Sequence, residues 1–421
     1  MRTHLAAGPL LFIASLAQAQ TNAREASAEA TGYLEAALDQ IEQGSGAYAT
    51  DWEAMRAKAR ATIAAAGAKT TADTYQAIRD ALATLGDKHG LLLDPAAAKL
   101  FNPSRAAKAT GLLVVPPDAI VARVVPGSPA AAAGLALGDR IVAVEGLAGF
   151  AGWPPREFGR LFRSGLRLDG STAPLDLRVR TGTAEPRAVQ VPLAAFDEYL
   201  APTGRQLDGG IGYLELPGVS GPKAANYDDT LNELLDQIDD GTLRGCIIDL
   251  RRNTGGTLWP MLAGIGPLAG AGKVGAYVSA HGGADWTYDA DLGTATSETY
   301  ELAKVANPHP LHDDLPVAVL TGPLTAQAGE AIVVAFAGRA RTRRFGEGTS
   351  GLTTSNTQIP LADGALLVLT VTVHADRTGT RYDDVIPPDE KVGTDWTRFG
   401  TPDDPVMAAA CRWLASAADA K

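Results

Sequence analysis

Imidazoles and carboxylates gather most densely at His309-Pro310-Leu311-His312-Asp313-Asp314, residue types that bind divalent metals or relay protons. The segment runs straight into the apolar stretch Val317 to Leu320, so it reads as a polar loop before a strand, and no metal site is expected there. His89 is a second candidate; it follows a helix stop at Gly86 and lies in a loop at a domain junction. Glu330, near the start of a helical stretch over Gly329 to Phe336, complements the positive end of that helix. Gly270-Ala271-Gly272-Lys273-Val274 imitates a phosphate loop, but Val274 stands where a Ser or Thr is needed and Pro267 takes the first glycine position. Arg339-Ala340-Arg341-Thr342-Arg343-Arg344 reads as a solvated basic face after a helix. Cys246, in the apolar run Gly245 to Leu250, and Cys411, on an Ala-rich helix, lack the spacing of a metal or redox pair and read as two free, packed thiols. No cofactor is expected.

Positioning such groups takes several domains. The chain has 421 residues, 46% of them apolar and 20% charged, enough for packed cores and too many for one ordinary domain. Its 37 Lys and Arg against 48 Asp and Glu give a net charge of −11, with no basic stripe, which excludes a nucleic-acid partner. Arg2, the apolar run Leu5 to Leu16 and Ala17-Gln18-Ala19 form a signal peptide over residues 1–19, so the expected location is exported, periplasmic or secreted. No other run is apolar and long enough to span a membrane.

Residues 20–103 carry apolar side chains at helical spacing: Leu34, Leu38 and Ile41, then Trp52, Met55 and Ala59, then Tyr75, Ile78, Leu82 and Leu85. Asp73 and Gln76 form an expected capping box for the last helix. Residues 104–197 switch to short β-rich runs separated by turn residues. Over 205–400 strands alternate with helices: Ile211 to Leu216, Cys246 to Leu250, Val317 to Leu320 and Ala365 to Val373 read as strands, Tyr227 to Ile238 as a helix. Residues 401–421 close with an amphipathic helix presenting Val406, Ala410, Trp413 and Leu414. The fold class is therefore multidomain α/β (α+β).

Val124-Val125-Pro126-Gly127-Ser128-Pro129-Ala130-Ala131-Ala132-Ala133-Gly134-Leu135 followed by Gly138-Asp139-Arg140-Ile141 resembles a PDZ domain. That resemblance implies a sheet edge that accepts an extended peptide, with N–H groups of Thr110, Gly111, Leu112 and Leu113 offered to a C-terminal carboxylate. Three further segments extend the likeness to the tail-specific, C-terminal-processing serine peptidases, with their ClpP/crotonase-like α/β domain: Leu85-Gly86-Asp87-Lys88-His89, Asp249-Leu250-Arg251-Arg252-Asn253-Thr254-Gly255-Gly256, and Thr325-Ala326-Gln327-Ala328-Gly329-Glu330-Ala331. Phe345 to Leu352 and Ile386-Pro387-Pro388-Asp389 continue the match in order. The resemblance implies a base at His89, oxyanion donors at Gly255, Gly256 and Ala328, and Glu330 in support of the base.

At the centre of that pattern the chemistry departs from the family. The nucleophilic Ser position holds Gln327, whose carboxamide has no hydroxyl or thiol to form an acyl-enzyme. Gly90 follows His89 where that branch usually has Ser, and Leu352 falls where the other branch has its catalytic Lys. Whether the chain is an active serine-type hydrolase is left open by this. Two readings follow: a pseudopeptidase that binds peptides or protein C-termini, and an endopeptidase that uses His89 with a relocated hydroxyl, Thr325 or Ser350. Thr325 in an extended segment is displaced from Gln327 by roughly 6 to 7 Å. A hydroxyl within about 3.2 Å of a His89 nitrogen discriminates between the readings.

Overall fold

Helical periodicity in the N-terminal region becomes three packed helices. In the computed structural model, which describes residues 25–45, 50–86, 89–101, 108–150, 153, 155–167, 171–196 and 198–419, helix α1 spans Ala28–Gly44, α2 Trp52–Ala66 and α3 Tyr75–Thr84. The expected leader, residues 1–19, lies outside the described residues, as do Asp87 and Lys88. Ser27 and Asp51 cap α1 and α2 by accepting from the N–H of Ala30 and Ala54. Asp73 does not cap α3: its carboxylate accepts from the N–H groups of Lys69 and Thr70 and closes the preceding turn, while Gln76 reaches forward to Asp80.

Strand β1 (Leu91–Leu93) and helix α4 (Pro95–Phe101) follow. The PDZ-like part is a five-stranded antiparallel sheet of β2 (Leu112–Val115), β3 (Ile120–Val124), β4 (Arg140–Val144), β5 (Leu175–Arg180) and β6 (Arg187–Val191), with α5 (Pro129–Ala132) and α6 (Pro155–Ser164) beside it. Its core gathers Val121, Ile141, Phe158, Phe162, Leu177 and Val191. Strand β2 is the sheet's edge, and α6 packs against it.

The third region holds β7 (Thr203–Leu207), β8 (Ile211–Glu215), α7 (Tyr227–Ile238), β9 (Gly245–Asp249), α8 (Leu258–Ala269), β10 (Gly272–Ser279), β11 (Gly282–Asp289), β12 (Thr294–Ser297), β13 (Tyr300–Lys304) and β14 (Val317–Thr321). It continues through α9 (Ala328–Phe336), β15 (Thr342–Gly346), β16 (Thr354–Pro360), β17 (Leu366–Asp376), β18 (Arg381–Tyr382), β19 (Glu390–Lys391) and α10 (Pro405–Asp419). One sheet has the order β19-β15-β14-β9-β8-β7 and is parallel except for β7. Its central strands are buried along their length, as parallel strands covered on both faces must be. Helices α7, α8 and α9 fill one side with Leu231, Leu235, Leu262, Ile265, Val333 and Phe336. On the other, Val406, Ala410 and Leu414 of α10 pack on Tyr213, Ile247, Leu320 and Phe345.

A second sheet, order β1-β17-β10-β11-β12-β13 with β16 and β18 also on β17, unites the ends of the chain. Leu92, Leu367 and Leu369 share a core with Leu34, Leu38, Ile78 and Leu82, so the N-terminal helices bury their apolar faces partly against β17. This pairing carries the chain on from His89: Leu91, Leu92 and Leu93 sit opposite Val368, Leu367 and Leu366.

The Gly270 to Val274 segment leads into strand β10, with Val274 fully buried. One sequence expectation changes here, that of a solvated basic run after α9. Arg339 is no solvated residue: it is buried and donates to the carbonyls of His312 and Asp313, while Arg344 pairs with Asp389. Cys246 and Cys411 are both free thiols, and burial pushes Cys246 up to about 12. Among the described residues, no helix is long and apolar enough to cross a membrane.

Candidate active site

Three segments far apart in sequence meet at His89. Its Nε2 lies 3.0 Å from Gln327 Nε2, and its Nδ1 lies 2.9 Å from Thr354 Oγ1. A carboxamide nitrogen only donates, so His89 Nε2 accepts and Nδ1–H donates to the Thr354 hydroxyl. The neutral tautomer is thereby selected. Asn356 of β16 donates to the His89 carbonyl and accepts from Thr370 of β17, which anchors the loop to the second sheet. Buried His374, one strand over, is held neutral: burial and then the nearby His89 push it down to about 3.

Gln327 caps α9 with φ 51° and ψ −115°, a conformation that side-chain-bearing residues seldom adopt and that recurs where a site holds backbone strain. Its own N–H donates to Glu330 Oε2 at 2.9 Å. Glu330 is fully buried; Gly351 N–H and Leu352 N–H also donate to it, at 2.8 and 2.9 Å. Thr349 adds a hydroxyl and in turn accepts from Ile386 N–H, so the segments Phe345 to Leu352 and Ile386 to Asp389 meet behind the elbow. Glu330 thus braces the Gln327 backbone, and neither ring nitrogen of His89 pairs with it in these contacts.

The glycine turn after β9 closes over Gln327. Gly255 and Gly256 have φ of 104° and 117°; a Cβ on Gly255 would lie 2.7 Å from Gln327 Oε1, and one on Gly256 would lie 2.0 Å from Val219 O. Only glycine fits either place. Gly255 N–H, expected as an oxyanion donor, instead donates to Asn253 Oδ1 at 2.9 Å, an Asx-type closure of the turn. Ala328 opens α9, where helix N–H groups have no intrahelical acceptor, and with Gly256 it stays in the candidate donor set.

The relocated hydroxyls are both committed elsewhere. Thr325 Oγ1 is buried, donates to Leu250 O and accepts from Gly322 N–H; Ser350 Oγ donates to Pro323 O. In the PDZ-like turn, Thr110 N–H donates to Arg163 O and Leu112 N–H to Thr110 Oγ1, so two of the four expected carboxylate donors are internally satisfied. Gly111 packs directly on Ser128, and Leu113 lies on β2. The glycine turn and the PDZ-like sheet are joined through Arg252, which donates to Ala122 O and pairs with Glu215, itself paired with Arg123.

The profile of peptidase family S41 matches residues 210–392, the span that carries the parallel sheet, the glycine turn and the Gln327 elbow. Over this span the chain is similar to peptidase family S41. A PDZ domain profile matches residues 120–148 within the five-stranded sheet. The chain is 27% identical over 336 residues to a carboxyl-terminal-processing protease of Picosynechococcus sp., covering 76% of this chain and 74% of that one. It is 29% identical over 190 residues to a nisin-resistance protein of Lactococcus lactis subsp. lactis, covering 45% of this chain and only 58% of that relative's length. A photosystem II D1 C-terminal processing protease has the same fold, with a TM-score of 0.59 at 20% identity over 87% of this chain and 94% of its own.

Within this S41-like domain, Thr354, Asn253 and Thr349 escaped assignment from sequence, although Asn253 and Thr349 lie inside quoted motifs. An Asn two residues before a Gly-Gly pair is a turn signal that was available. Nothing local marks Thr354, which is 265 residues from the histidine it orients.

Glu330 makes a pH prediction. Burial pushes its carboxyl up to about 7, against the opposing pull of Thr349 and the three N–H donors. A folded-state value above the unfolded one means the native state binds the extra proton, so this group's contribution to stability falls as pH rises from about 4.5 through 7. In urea unfolding from pH 5 to 8, wild type is expected to lose about 3 kcal/mol relative to Glu330→Gln. A pH-independent difference between the two proteins contradicts this.

Proposed function

We propose that this S41-like protein is an exported pseudopeptidase that binds peptides or protein C-termini without cleaving them. The observation that carries the reading is Gln327 itself: the strained elbow holds a carboxamide that donates to His89 Nε2, the atom a general base needs free. With the base present and no nucleophile at it, an acyl-enzyme cannot form. The groups proposed to recognise a peptide backbone are the N–H groups of Gly256 and Ala328 and, in the PDZ-like sheet, the edge of β2. The name of the carboxyl-terminal-processing relative supports protein C-termini as the ligand class.

A second reading rests on one contact. Thr354 Oγ1 lies within hydrogen-bond distance of His89, so it is the hydroxyl available to an active endopeptidase. Against it, Thr354 sits at Nδ1, on the ring edge away from Gln327 and the glycine turn, where a third group orients a base.

The test is the mature chain with fluorescent peptides that end in a free carboxylate. Saturable binding by anisotropy, peptides recovered intact by mass spectrometry and at least about tenfold weaker binding after C-terminal amidation are expected. Cleavage by the native protein that disappears in His89→Ala and in Thr354→Val selects the second reading instead.

A further inference from the structure

The loop between β13 and β14 is no isolated polar segment. His309 is buried, and its Nε2 lies 3.0 Å from His312 Nε2 and 3.2 Å from Asp239 Oδ2; His312 Nε2 lies 2.9 Å from the same carboxylate oxygen. Three ligand-type atoms therefore form a nearly equilateral triangle. The third corner comes from the C-terminal end of α7, 70 residues earlier in the chain, which is why the loop alone did not reveal it.

We propose that Asp239, His309 and His312 form a binding site for a zinc-class divalent transition metal. Donor atoms about 3 Å apart match one face of a tetrahedron: an ion roughly 1 Å above such a triangle is about 2.0 Å from each corner, the usual Zn–N and Zn–O distance. Two imidazoles and one carboxylate favour zinc-class ions over magnesium or calcium, which prefer oxygen ligands alone. Outside the triangle, Asp236 Oδ1 accepts from His309 Nδ1 at 2.6 Å, the carboxylate–histidine pairing that orients a metal-binding ring and leaves Nε2 its lone pair. That lone pair points at the Asp239 oxygen and at a second imidazole nitrogen, an arrangement that a cation between the three atoms would satisfy.

The corners are held rigidly. His309 N–H donates to Asn232 Oδ1, Asn232 Nδ2 to Asn307 O, and His312 N–H to Pro267 O, while Arg339 grips the His312 carbonyl. The side chains of His312 and Asp239 are 23% and 13% exposed, so an ion can reach them from solvent. The metal staples α7 to the loop that enters β14, and Gln327 follows at the far end of that strand. Its role is structural and separate from the peptide cleft.

Tag-free mature protein, stripped with chelator and desalted, is titrated with ZnCl2 by calorimetry and with CoCl2 by visible absorption. One equivalent of Zn2+ is expected to bind and raise the thermal midpoint, Co2+ to give the intense bands of a tetrahedral site, and Mg2+ to do neither. His312→Ala and Asp239→Asn are each expected to weaken Zn2+ binding by about 100-fold or more and to abolish the rise in midpoint. The Co2+ spectrum of wild type tests the site even if a variant folds poorly. Absence of saturable Zn2+ binding by wild type, or affinity unchanged in both variants, overturns the proposal.

Discussion

On the proposed pseudopeptidase reading, Gln327→Ser is expected to turn a chain that leaves peptides intact into a peptidase. The elbow that presents a nucleophile is already built: residue 327 has its strained φ and ψ, Glu330 holds its N–H, and the glycine turn lies against its side chain. His89 already has the geometry a base would need, with Nδ1–H on Thr354 and Nε2 accepting. A serine Oγ sits closer to the backbone than the carboxamide nitrogen, so the new hydrogen bond forms with His89 relaxing toward α9 or through one water. The rate of peptide cleavage should rise on the order of 10⁴-fold or more over wild type, the scale on which a missing nucleophile is felt. Adding His89→Ala should remove the gain. Adding Thr354→Val instead should lower kcat by about 10²-fold with little change in KM, because the ring loses its orienting partner while peptide contacts persist. Wild type as active as Gln327→Ser would show that residue 327 is not the missing nucleophile.

The second large effect concerns the scaffold of the same turn. Arg251 is fully buried; its guanidinium pairs with Asp249 at 2.6 Å and Asp404 at 2.7 Å and lies over the Phe399 ring. Asp404 also accepts from Val406 N–H at the start of α10 and from Gly400 N–H in the turn before it, and Tyr213 donates to Asp249. The network therefore ties the first residues of the glycine turn to the terminal helix. Arg251→Met keeps the volume but leaves two buried carboxylates facing each other, and should cost about 3–5 kcal/mol, read as a lower urea midpoint. Burial alone would raise the Asp249 carboxyl, but Arg251 and the N–H and hydroxyl donors hold it below the ordinary carboxylate value. A lowered folded-state value adds stability above about pH 4 and loses it as pH falls through the folded-state value. The deficit of Arg251→Met should accordingly shrink as pH drops through the carboxylate range. A midpoint within about 0.5 kcal/mol of wild type at pH 7 would show the network to be dispensable.

What the sequence determined by itself is whatever neighbouring residues encode. Apolar spacing alone delimits α7 as Tyr227–Ile238 and places α9 and the central strands to within a residue or two. Short motifs carry the PDZ–S41 order, because glycines and small residues at turns are local steric requirements. The carboxamide on which the pseudopeptidase proposal rests is one residue type at one position, Gln327. Tertiary structure decided the rest: that Thr354 orients His89, that Asn253 takes the Gly255 N–H, that Thr325 and Ser350 are spent on carbonyls, and that Asp239 reaches His309 and His312. Each depends on which strands pair and in what register, as when β1 lies against β17 and carries His89 to β16. Register is set by the burial of whole faces across hundreds of residues, so no short segment contains it.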